Sequence, residues 1–374
     1  MHRACTTADT SADAVCDLLS QLGTKDMASI AVFVSPKFDF DVIARGLSQA
    51  YPDTHIVGCS TAGEIGDTGY MDGTIVAVGL PRENFYAATT TIPNLSDLKF
   101  RAIAAQVLEL RRQVLQNEPD WGHEFAMLFV DGLSLKEDSL VSAIMPALGN
   151  IQLFGGSAGD GMSFKKTKVI AGADVLTGAA VLLLIRTKCP IHVFRFDNFV
   201  PTDIRMVVTE ADPEQRLVKE INAEPAAREY ARLVGKDPDQ LSPFIFAAHP
   251  VVVRVGGQHH VRAIQQVDDT GHLRFFSEIN EGMVLTVARG QDMASHLEHA
   301  LGGLTTVQKP ASIIACDCIL RRLDAEQQQA TGAVSKTLSD HGVVGFSTYG
   351  EQHNSMHVNQ TFTGVAIYPP DPEQ

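Results

Sequence analysis

Three stretches of the chain end in the same polar punctuation, and they are the first place to look for chemistry. GCSTAGE (58–64), GGSAGD (155–160) and GFSTYGE (345–351) each give Gly-x-Ser followed by a glycine and an acid. Glycines let a backbone turn sharply and approach a ligand closely. The hydroxyls of Ser60, Thr61, Ser347 and Thr348, beside the carboxylates of Glu64 and Glu351, suit a polar small molecule. Asn359 and Arg262 would complete such a pocket, the arginine through forked bonds to a carboxylate. The same carboxylates suit acid–base work if their environments separate their pKa values, and they equally suit turns tied to backbone amides. The segment GGSAG (155–159) matches a nucleophile elbow in letters only. An elbow needs a helix directly after it, whereas GMSFKKTKVIAG (161–172) carries no helical stripe and predicts a hairpin.

Six cysteines at 5, 16, 59, 189, 316 and 318 show no CxxC spacing, which argues against a disulfide scaffold, a zinc ribbon or covalent haem. Cys59, Cys316 and Cys318 would share one site only if the three motifs meet. The formal net charge of −14 works against nucleic acid or an anionic membrane as partner, because both need clustered Lys and Arg. The first residues show no apolar signal core, and the longest aliphatic run, 179–185, is too short to span a bilayer. A cytoplasmic protein is expected.

The elements that must position these motifs repeat with them. Each motif is preceded by an apolar run, an amphipathic or helix-like stretch and a second apolar run: 29–35, 40–47 and 55–60; 125–132, 140–148 and 151–157; 311–317, a polar stretch through 338, and 342–347. Short apolar runs without alternation suit strands covered on both faces. Phe40, Ile43, Ala44 and Leu47 fall at i, i+3, i+4, i+7, one stripe for one sheet face. A further strand follows each motif, at 73–80, 178–185 and 361–369. The expected fold is therefore α/β, with repeated βαβ units in mostly parallel or mixed sheets covered by helices. Residues 213–234 predict two short helices broken at Pro225. Between 244 and 288, FIFAA, VVVRV and MVLTV predict strands. A domain boundary is placed near 190, giving domains 1–190 and 191–374.

GCSTAGEI (58–65) with DGTIVAVGL (72–80) resembles the signature of the FIST N-terminal domain. The tail from GFSTYGEQ (345–352) to the NQTFTGVAIY segment (359–368) resembles that of the FIST C-terminal domain, and 220–235, 243–254 and 281–287 match the pattern entering it. The resemblance covers nearly the whole chain. It implies an intracellular input domain that binds a small ligand and reports to a signalling partner rather than an enzyme. One branch of the family consists of nitric-oxide-sensing haem proteins (the NosP type) that regulate a histidine kinase; the family as a whole is associated with small ligands such as amino acids.

The haem branch directs attention to the histidines. A non-covalent haem b needs one neutral imidazole and an apolar pocket. His249 follows the apolar run that includes Phe246 and precedes Pro250, which makes it the first candidate iron ligand; His260 and His259 come next. The leading expectation is a haem-based nitric oxide sensor acting on a histidine kinase, with a homodimer compatible with the sequence. The alternative is a haem-free receptor for an amino acid or similar metabolite, built on the Gly-Ser-Thr-Gly-Glu loops.

Overall fold

The computed structural model describes residues 1–255 and 257–370. One pattern of eight elements is written three times along the chain, the third time with one extra helix. The first copy runs β1 (His2–Thr6), α1 (Ser11–Leu22), β2 (Met27–Val34), α2 (Phe40–Ala50), β3 (His55–Ser60), the hairpin β4 (Glu64–Gly66) and β5 (Gly69–Met71), then β6 (Ile75–Pro81). The second runs β7 (Phe85–Ile92), α3 (Phe100–Asn117), β8 (His123–Val130), α4 (Glu137–Leu148), β9 (Gln152–Ser157), the hairpin β10 (Val169–Ala171) and β11 (Asp174–Leu176), then β12 (Ala180–Thr187).

The third copy opens with β13 (Ile191–Phe196) and is then interrupted. The inserted part comprises β14 (Phe199–Asp212), β15 (Leu217–Ile221), β16 (Glu224–Pro225), α5 (Ala226–Val234), α6 (Pro243–Ala248), β17 (Val251–Val255), β18 (Gln258–Arg262), β19 (Ile264–Val267), β20 (Leu273–Phe275) and β21 (Val284–Gly290). The pattern resumes with α7 (Met293–Leu304), β22 (Ser312–Cys318), α8 (Ile319–Gln327), α9 (Thr331–Asp340), β23 (Val343–Thr348), the hairpin β24 (Glu351–His353) and β25 (Met356–Val358), and β26 (Phe362–Ile367).

Each copy builds a mixed sheet around one parallel pair, β2–β3, β8–β9 or β22–β23, with an antiparallel strand on the outer side of its first member. The hairpins do not stay at home. β4 pairs with β23 of the third copy, β10 with β3 of the first, and β24 with β9 of the second, so the exchange closes in a ring. Position 190 falls between the second and third copies, but the β4–β5 and β24–β25 hairpins both cross it.

The inner faces of the three sheets enclose a common core. Phe33, Phe129 and Phe346 meet in it with ring centroids 4.8, 6.1 and 6.2 Å apart. The outer faces are covered by α1 and α2, by α3 and α4, and by α7 and α9. This explains the continuous apolar runs, since strands buried on both faces have no polar side to show. The expected helical stripes are the buried ones: Phe40, Ile43, Ala44 and Leu47 of α2, and Ile103, Val107, Leu110 and Val114 of α3.

The first glycine of each motif has a steric reason. A Cβ on Gly58, Gly155 or Gly345 would lie 1.9, 2.2 or 1.8 Å from the carbonyl oxygen of Val32, Leu128 or Ala315 on the parallel neighbour.

The inserted eight-stranded sheet departs from the sequence expectation in two places. Residues 217–221 form a strand, not a helix, because Val218 and Ile221 turn into the core of the insert; only 226–234 is helical. The FIFAA run is helix α6, entered through Pro243 at its first turn rather than extended. No helix among the described residues is long and apolar enough to cross a membrane.

Candidate functional site

The three motifs interlock around the axis of the ring. The amides of Ala62, Gly159 and Tyr349 donate to the carbonyls of Ser347, Ser60 and Ser157, respectively. Within this ring the acids act as staples. Glu64 accepts the Thr61 hydroxyl and, at 2.7 and 3.0 Å, the hydroxyl and amide of Thr74 at the entry to β6. Glu351 repeats the arrangement with Thr348 and, at 2.7 and 3.2 Å, with Thr361 at the entry to β26. Burial pushes the Glu64 carboxyl up, and pushes Glu351 up to about 8. Ser60, Thr61, Glu64, Ser347, Thr348, Glu351 and Asn359 are all at most 1% exposed. These residues form no solvent-facing pocket; the backbone-tied turn is the reading that the geometry supports.

The second copy differs. It has no glutamate at the matching place, and Asp131 at the end of β8 takes over, accepting the Thr167 hydroxyl and, at 2.6 Å, the Gly178 amide. Residues 161–168 intervene before its hairpin begins, whereas Glu64 and Glu351 start theirs at once. That longer loop, the turn after β8 and the inserted sheet enclose a crevice of about 560 Å³. It lies beyond the carboxyl end of the parallel strands β8 and β9, where open α/β sheets place ligands.

Three of the residues lining the crevice, Leu135, Phe164 and Arg216, have φ values of 56°, 51° and 54°. Non-glycine residues in left-handed backbone are uncommon, and strain of this kind concentrates at functional sites. Phe164 is held by Tyr349, whose ring lies 4.6 Å away and whose hydroxyl accepts the Asp160 amide at 3.0 Å. The same hydroxyl donates to the Asp160 carboxylate, which in turn accepts the Lys165 and Lys166 amides.

Phe276 continues this wall, with its ring packed 5.9 Å from Phe164. Its carbonyl is the hub of the seam between the insert and the repeats: it accepts Arg216 Nη1 and faces His357 Nε2 at 3.3 Å. A carbonyl only accepts, so Nε2 carries the proton and Nδ1 accepts the Gln352 amide at 3.3 Å. Burial holds His357 below the usual histidine range, which keeps that ring neutral. Arg216 also forms a buried ion pair with Glu137 at 2.5 Å. The structure does bring together Arg262 and Asn359. Arg262 donates to the His357 carbonyl at 3.4 Å, and Asn359 accepts the Ser277 hydroxyl at 2.5 Å, both in this seam.

The histidines proposed for haem lie in different surroundings. Burial, with Lys236 nearby, lowers the pKa of half-buried His249, leaving a neutral imidazole. Phe246 is packed 5.7 Å from Tyr230 at 1% exposure, Pro250 is buried, and none of the crevices described is lined by His249. His260 is buried with Nδ1 3.2 Å from Arg195, and His259 lies exposed opposite Arg254. Cys59 and Cys316 share the central core, while Cys318 packs in a separate cluster under the insert; all are free thiols.

Phe164, Phe276, Arg216, Tyr349 and His357 escaped the sequence reading. The one available signal was the longer spacing between the second motif and its following strand.

The FIST N domain model matches residues 29–224, and the FIST C domain model matches 226–354. Their junction falls inside the inserted sheet, at β16. No curated protein matches the chain. FIST domains are sensory domains that bind small ligands. With both models together covering most of its length, this chain belongs to the FIST family, as a FIST N domain followed by a FIST C domain.

Proposed function

We propose that the chain is a cytoplasmic, non-catalytic signal-input protein that binds a small metabolite in the crevice between the second repeat and the inserted sheet. The observation that carries this is the convergence of three left-handed, non-glycine residues, Leu135, Phe164 and Arg216, on one crevice. Phe276 supplies the route outward. It lines the crevice, and its carbonyl is anchored by Arg216 from the insert and His357 from the third repeat. A ligand that prefers one setting of Phe276 shifts the population of insert orientations by its differential affinity for them. The surface presented to a partner such as a histidine kinase would change accordingly.

Met162 stands at the mouth of the crevice with 43% of its surface exposed, so Met162→Trp should block the crevice without touching the core. In a thermal-shift panel of amino acids, organic acids and nucleosides, at least one compound should raise the Tm of the native protein and leave that of Met162→Trp unchanged. Compounds that stabilise both proteins equally, with none separating them, would defeat the proposal.

The haem-dependent nitric oxide sensor is a second reading, favoured by one observation, the neutral and half-buried imidazole of His249. It requires a Soret band on reconstitution with haem that shifts with nitric oxide and disappears in His249→Ala. A protein that takes up no haem on titration removes that reading and leaves the crevice unaffected.

A further inference from the structure

The chain as a whole carries a formal charge of −14, yet the lining of the crevice carries the opposite sign. Lys165, Arg216 and Arg274 line it, and no carboxylate does. Arg216 is already neutralised by Glu137 and Asp138, at 2.5 and 3.4 Å. Lys165 and Arg274 are different. Neither forms an ion pair among the described residues, and the bond that Arg274 makes, to the Gln215 carbonyl at 2.9 Å, leaves its charge uncompensated. The remaining polar lining is Ser163 and the amide pair Gln265 and Gln266. The rest is apolar: Leu133, Leu135, Phe164, Phe275 and Phe276, with Met162 at the mouth.

Resting on the crevice as the ligand site, we infer that its ligand is a small organic anion, a carboxylate carried on a flat apolar body, and that a free ammonium group is selected against. The carboxylate sits towards Lys165 and Arg274, which offer a point charge and a planar fork. The apolar body lies against the apolar wall that Phe164 and Phe276 form together, their rings 5.9 Å apart. An α-ammonium group finds no carboxylate in the lining to meet it, so an amino acid loses to its des-amino counterpart. The volume of about 560 Å³ suits a ligand of this size. The two cations stand at a partly exposed site, so binding weakens as salt is raised.

The test uses three probes with one shared body: 3-phenylpropionate, 3-phenylpropanamide and phenylalanine. Binding is followed at millimolar concentrations by the methyl resonance of Met162 in protein labelled at its methionine methyls. The expected result is a saturable shift with 3-phenylpropionate, at least tenfold weaker binding of the amide and of phenylalanine, and loss of the anion preference in Lys165→Gln and in Lys165→Gln/Arg274→Gln. The single variant removes a side chain that bonds nothing in the fold, so it keeps the test valid if the double variant misfolds. Equal or tighter binding of phenylalanine or of the amide at Met162 overturns the anion assignment while leaving the crevice as a ligand site. Absence of any shift at Met162 with 3-phenylpropionate overturns the assignment as well; the Met162→Trp panel then decides separately whether the crevice binds any other class.

Discussion

Replacing Glu351 by Gln should stabilise this protein at neutral pH, although it removes an acid from one of its most regular motifs. Glu351 is fully buried and bonded only to neutral groups, the hydroxyls of Thr348 and Thr361 and the Thr361 amide. Desolvation pushes its carboxyl from 4.5 up to about 8. Between those values the folded chain holds a proton that the unfolded chain has released, so the contribution of this group to stability falls as pH rises through the window and levels off above 8. At pH 7 the unfolded carboxyl stands about 2.5 units above its own pKa, which at 1.36 kcal/mol per unit makes keeping it protonated cost roughly 3 kcal/mol. Glutamine has the same shape and no proton to acquire. Its carbonyl oxygen accepts from Thr361, and its amide donates to Thr348. Urea unfolding followed by circular dichroism from pH 5 to 8.5 should show Glu351→Gln gaining up to roughly 3 kcal/mol at pH 7 and little at pH 5. The difference between the two proteins isolates this group from the other raised carboxyls, Glu64, Asp317 and Asp324. A variant that parallels the native protein at every pH, or that loses more than about 1 kcal/mol at pH 7, would show that Glu351 is ionised in the fold.

Other outcomes follow from the same contacts. Gly58→Ala, Gly155→Ala and Gly345→Ala each drive a methyl group into a neighbouring carbonyl and should lose about 3 kcal/mol in urea unfolding. Gly302→Ala, which meets nothing within 4 Å in helix α7, should gain about 0.5–1 kcal/mol and serves as the contrast. Arg216→Met strands the Glu137 carboxylate at 2% exposure and should lose about 3–5 kcal/mol, part of which returns on adding Glu137→Gln; a double-mutant cycle with no coupling would contradict the buried pair. Tyr349→Phe removes the hydroxyl shared by Asp160, Gly161 and Phe164, and should speed amide hydrogen exchange at Phe164 and Lys165 while leaving the strands protected.

Much of this architecture was legible because its physics is local. A helix that covers a sheet must place apolar residues at helical spacing, and α2 and α3 bury the residues that this spacing selects. A strand covered on both faces must be apolar throughout, which gave away the parallel pairs. The hairpin exchange was not legible, because β4 joins β23 through backbone bonds between Gly345 and Ile65 and between Phe346 and Glu64, and such pairing leaves no side-chain signature. Pro225 misled for a related reason: it starts helix α5 instead of breaking a longer one. The motif acids stood out in the sequence, which left a ligand site, acid–base work and tied turns all open for them. Their partners, Thr74 and Thr361, lie ten residues on, at strand entries whose position depends on the fold.

The crevice is best understood as a defect in the three-fold pattern. In the first and third repeats the motif glutamate closes the turn and the hairpin departs at once. On the third repeat the chain also passes straight from Cys318 into helix α8, and the space there is taken by a buried network of Tyr70, Asp317, Arg321 and Asn198. In the second repeat the glutamate is missing, the stapling falls to Asp131, and residues 161–168 are free to swing outward as a wall. The insert that interrupts the third repeat then supplies the rest of the wall through Arg216 and Phe276. Neither departure alone makes a site: the loop would lie open to solvent without the insert, and the insert would meet a closed turn without the loop. Two irregularities in different repeats converge because the exchanged hairpin β24–β25 ties the third repeat to β9 of the second, which fixes the seam beside the loop that needs it.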